Sequence, residues 1–103
     1  MSWERDEAGR LEQAAGVLSS NADDLEQSIR SLRDCVGDAH GRPGGWIGPA
    51  ADRYSDQIED HLRRAQSERD SLHRVASSMR NHANWLRQEA DRKDAEARAR
   101  AHH

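Results

Sequence analysis

The 103-residue chain predicts an all-α fold, an antiparallel two-helix hairpin expected to dimerise into a four-helix bundle. Three observations carry that expectation. Apolar and small residues step by four and three through two long segments. A Gly/Pro-rich stretch separates the segments. The apolar content is enough for one stripe per helix and no more. Hydrophobic residues make up 34 %, charged residues another 34 %, aromatic residues 4 %, and Phe is absent. An ordinary globular domain holds roughly 45–50 % apolar residues, counted with Gly. A closed core covering helices on several sides is therefore out of reach, and each stripe must find a second helical surface. The length suits a single domain over residues 1–103.

Helix 1 is expected over about residues 3–38. Its stripe is Leu11, Ala15, Leu18, Ala22, Leu25, Ile29, Leu32 and Val36, a seven-residue repeat that makes a narrow seam of the kind helices use at shallow crossing angles. Strand alternation fits none of it. Ser2 suits the N-cap, with acids following in the first turn. The small residues in the seam let a facing helix come close.

Residues 39–48 form the expected turn. Gly41-Arg42-Pro43-Gly44-Gly45-Trp46-Ile47-Gly48-Pro49 cannot continue a helix. Pro49 suits the first position of helix 2, where its missing N–H is no loss. Helix 2 is expected over about residues 49–92, with the seam Ala51, Ser55, Ile58, Leu62, Ala65, Arg69, Leu72, Ala76, Met79, Ala83, Leu86 and Ala90. Arg69 is the charged intruder, and either reaches out of the seam or meets an acid of the facing helix. Past Ala90 the pattern dissolves, and residues 93–103 are expected as a frayed tail.

Several function classes are disfavoured. Net charge is -3, and Arg residues have acids within a turn, as in Asp23-Asp24-Leu25-Glu26 before Arg30 and Arg33. That is a solvated helix surface and not the clustered basic face of a nucleic-acid binder. No apolar run approaches the roughly 20 residues a membrane span needs, so no stable membrane insertion is expected. The first residues, Met1-Ser2-Trp3-Glu4-Arg5-Asp6-Glu7, lack an apolar signal-peptide core. Cys35 is the sole cysteine, so no internal disulfide is expected. His61, His73 and His82 are spaced by 12 and 9, which puts no pair at the metal-binding i, i+4 spacing. The carboxylates have no apolar pocket to shift them toward acid–base work, and Gly44-Gly45 lacks the Lys-Ser/Thr of a phosphate loop. We expect no catalytic site, no cofactor and no metal.

Trp46 and Gly48 are the turn's notable residues. The Trp46 ring either staples the turn to its own helix or reaches into a groove made by a partner's helices. At this point the chain resembles the WXG (ESAT-like) family of small type VII secretion proteins. The resemblance rests on a hundred-residue length, two long helices, and Trp46-Ile47-Gly48-Pro49-Ala50-Ala51-Asp52-Arg53-Tyr54 at the opening of helix 2.

That resemblance implies a secretion substrate or co-secreted, chaperone-like partner. It would pair as a homodimer or heterodimer with a second hairpin, reside in the cytoplasm before export, and leave without signal cleavage through a secretion ATPase, alone or with an effector. The family's export signal, Tyr-x-x-x-Asp/Glu late in helix 2, has its nearest match in Trp85-Leu86-Arg87-Gln88-Glu89, with Trp in place of Tyr. The expected partner interface comprises Leu11, Leu18, Leu25, Ile29, Leu32, Val36, Tyr54, Ile58, Leu62, Leu72, Met79 and Leu86. The alternative is an intracellular helical adaptor or coiled-coil module with no secretion role. Trp3 is expected to join an aromatic cluster near Met79–Trp85.

Overall fold

A computed structural model describes residues 2–41 and 48–102, with the side chains of residues 38–41 and 50 left aside. Two helices account for nearly all of this: α1, Trp3–Gly41, and α2, Pro49–Ala101. The expected turn, with Trp46, lies outside the described residues apart from its last member, Gly48.

Both helix starts follow from local chemistry. Ser2 caps α1, its Oγ accepting from the Arg5 backbone N–H at 3.2 Å, and Glu4 and Asp6 supply negative charge in the first turn. Gly48 stands at φ 106°, a conformation L side chains avoid. Its carbonyl accepts the Asp52 N–H at 3.0 Å, and Pro49 is the first residue of α2, as its fixed φ favours.

The chain divides into two compact units. Unit 1 is Met1–Ser19 with His73–His103, and unit 2 is Ser20–Leu72. In each, a segment of α1 lies antiparallel to a segment of α2. Unit 1 shows this in the pairs Glu4–Lys93, Glu12–Arg87 and Ser19–Arg80.

The seam is present and longer than the sequence pattern suggests. Ala8, Ala15, Ala22 and Ile29 are buried at seven-residue intervals on α1, and Ala76, Ala83 and Ala90 at the same interval on α2. Alanine on both sides brings two helix backbones toward the short end of the usual 8–10 Å separation. In unit 1, Ala8, Ala83 and Leu86 form a buried cluster with Leu11 packed against it. Leu86, 2 % exposed, contributes about 1.5–3 kcal/mol by its burial. Beyond Ala8 the next seam position on α1 is Glu4, and beyond Ala90 the next on α2 is Lys93. These two close the seam as an ion pair.

That closure corrects the expectation of a frayed tail. Lys93 meets Glu4 and Asp94 meets Arg5 at 2.7 Å, so the helix is anchored past residue 92 and runs to Ala101. Ala, Glu and Arg all favour helix, and Arg98 and Arg100 in the last turn complement its dipole. The expected aromatic cluster also moves. Glu4 and Arg5 pair with residues 91–94, so Trp3 stands opposite a point roughly 12 Å beyond Trp85 along α2.

Candidate interaction surface

Rotation by 100° per residue means that, in an antiparallel pair, residues one position after the seam point to one side on both helices. Residues one position before it point to the opposite side. The sequence treats these two sides differently.

In unit 1 the side after the seam is closed by polar contacts. Arg5 donates to Asp91 at 2.8 Å and to Asp94 at 2.7 Å. Arg87 pairs with Glu12, and Arg80 Nη2 donates to Ser19 Oγ at 2.9 Å. Arg5, Glu12 and Ser19 recur every seven residues beside the buried alanines. The Arg87 guanidinium holds the Glu12 carboxyl below its ordinary pKa. The side before the seam is different. Trp3, Val17, Val75 and Trp85 all stand there, exposed. Trp85 stacks on His82, ring centroids 5.8 Å apart and planes inclined by 10°.

Unit 2 repeats the division. Arg69 reaches from its seam position to Glu26, and its Nε donates to Asp70 at 3.1 Å, so the intruder meets an acid of the facing helix. Arg69 is the main cause, with Arg30 a lesser one, of the lowered pKa of Glu26. On the opposite side lies an apolar recess of about 150 Å³ lined by Leu25, Ser28, Ile29, Leu32, His61, Leu62 and Ala65. A wider, more polar cleft adjoins it, lined by Asn21, Asp24, Leu25, Ser28, Glu68 and Leu72. Tyr54, one position before seam residue Ser55, is 57 % exposed.

The expected partner residues therefore separate into two groups. Ile29 and Leu86 are buried within the chain itself and are spent on its own packing; for these two the interface assignment is corrected. Leu11, Leu18, Leu25, Val36, Ile58, Leu62, Leu72 and Met79 are half-buried, and Leu32 and Tyr54 are exposed. The sequence reading missed Asp24, Ser28, His61, Arg64, Ala65 and Glu68 as groove residues. Their signal was available as the residues flanking each seam position.

At the candidate export signal, Trp85 is exposed. Glu89 pairs with Arg92 at 2.8 Å, which lowers its pKa. Gly48 sits at the head of α2, and Trp46 lies outside the described residues. Among the described residues no group of His, Cys, Asp and Glu is arranged to hold a metal ion, and no helix is long and apolar enough to cross a membrane. No family model, curated protein or solved structure matches the chain.

Proposed function

We propose that the chain acts by binding and not by catalysis, as a type VII (ESX-like) secretion substrate or co-secreted partner that pairs through its helical hairpin. The mate is a second hairpin, whether another copy, a sister chain or an effector's own hairpin. The observation that carries this reading is the exposed apolar row before the seam: Trp3, Val17, Tyr54, Val75 and Trp85. Its opposite side is already occupied by ion pairs. Residues so placed are what a partner helix would cover. The Trp46-Ile47-Gly48 sequence ahead of Pro49, and the aromatic–acid pair Trp85 and Glu89, support the secretion part of the reading, with the chain cytoplasmic until a secretion ATPase accepts it.

The test is export from the native host. Intact protein is expected in the culture medium, and its amount falls when the secretion ATPase is inactivated. Trp46→Ala is expected to leave helicity unchanged by circular dichroism while lowering the exported fraction. Recovery of intact protein from the cytosol alone would make the chain an intracellular adaptor and overturn the secretion reading.

A further inference from the structure

The open side of unit 2 carries a charge pattern of its own. On α1 its wall is Asn21, Leu25, Ser28 and Leu32, and on α2 it is His61, Ala65, Glu68 and Leu72. Both sets recur at helical spacing, so recess and cleft are one groove, roughly 16 Å long at 1.5 Å per residue. The two ends differ. Asp24 and Glu68 stand at one end. His61 stands at the other and shares the adjoining surface with Arg64. Among the described residues, Asp24, Glu68 and Arg64 enter no ion pair, whereas Glu26 and Arg69 on the opposite side are paired. Midway between the charged ends lie Ser28 and Ala65, the small residues of the groove.

We propose that this groove docks a second copy of the chain, inverted about a two-fold axis over Ser28 and Ala65, so that Asp24 of one copy meets His61 of the other. The inference rests on the pairing reading above and narrows it to self-pairing through one side of unit 2. A two-fold interface must complement itself. A groove acidic at one end and basic at the other does so on inversion. The small residues at the axis let the two pairs of helices approach. Leu25, Leu32 and Leu62 then lose their remaining exposure, and Glu68 and Arg64 of the two copies come into one field of opposite charge. A basic partner of different sequence would use Asp24 and Glu68 but give no role to His61 and Arg64.

The experiment uses the full chain in light scattering and sedimentation across a concentration series. A dimer is expected, weakened at least about tenfold by Asp24→Arg through like-charge repulsion. Combining Asp24→Arg with His61→Asp restores it, and Arg63→Gln, on the ion-paired side, leaves it unchanged. Leu25→Asp abolishes it, with circular dichroism checking that the helices persist. Cys35 is exposed and takes a spin label. It lies six residues from the axis in each copy, so the label-to-label distance is roughly 20–30 Å, from helix rise plus interhelical spacing.

A chain monomeric at every concentration, or a dimer indifferent to both Asp24→Arg and Leu25→Asp, overturns the proposal. Export of the same proteins separates the two readings. A monomer that is still exported sinks self-docking alone, and a charge-swap-sensitive dimer confined to the cytosol sinks the secretion reading alone.

Discussion

Unit 1 and unit 2 are built on the same seven-residue repeat, yet they use it to different ends. In unit 1 the seam is filled by Ala8, Ala15, Ala76, Ala83, Leu86 and Ala90, all buried. Its flank is tied by Arg5, Glu12 and Ser19 to residues of α2. In unit 2 the buried seam residues are Ala22, Ile29 and Ala51, an arginine takes a seam position, and leucines line a groove that water reaches. One end of the repeat spends its apolar residues on internal cohesion. The other keeps part of them at the surface. Alanine makes this division possible, because a small residue brings the backbones together and is buried by that approach alone, whereas leucine at a wider gap keeps one face in solvent.

The largest expected effect that tests this contrast is Leu86→Ala. Removing a side chain buried in the Ala8–Ala83 cluster costs about 2–5 kcal/mol, read from urea denaturation. The same truncation at Leu32, 36 % exposed, costs less than about 1 kcal/mol, because most of its contact surface is already lost to water. Equal effects at the two positions would erase the distinction. Next in size is Ala83→Leu. Larger side chains between close helices force them apart, at about 1–3 kcal/mol. Ala65→Leu in the unit 2 groove is expected to be tolerated in a melting experiment.

The smallest effect is electrostatic and has a sign. Lys93 first, then the helix backbone, hold Glu4 at about 2 against an ordinary 4.5. Between those values the unfolded chain binds more protons than the folded one. Stability from this carboxylate is complete above about pH 4.5 and drains as pH falls toward 2. Glu12, Glu26 and Glu89 are lowered as well and push the same way. Urea midpoints at pH 6, 4 and 3 are expected to fall in that order, and Glu4→Gln to flatten the lower part of the curve. A midpoint independent of pH would show that the ion pairs are too screened to matter.

The helices, their caps and the seam were legible in the sequence because each depends on residues a few positions apart. Ser2, Gly48, Pro49 and the four–three stepping are local signals. The anchoring of residues 93 and 94 was not legible, because Lys93 and Asp94 look like solvated charge until the antiparallel register brings Glu4 and Arg5 to them. The two sides of the seam were hidden for the same reason. Asp24 and Glu26 flank one leucine and look alike in a list of charges. A rotation of 200° between them places one in the groove and the other on Arg69. The aromatic cluster of Trp3 failed on register by two helical turns.

The alanine row of unit 1 has a further consequence. Identical small residues repeated every seven positions are indifferent to sliding, since a shift by one repeat sets alanine against alanine again. The flanking charges remove that indifference. Slipping α2 one way brings Arg5 against Arg87, and slipping it the other way brings Glu12 against Asp94. Either move turns attraction into repulsion. The column of polar side chains acts as a ratchet, letting a smooth contact lock in one alignment without a single interlocking knob.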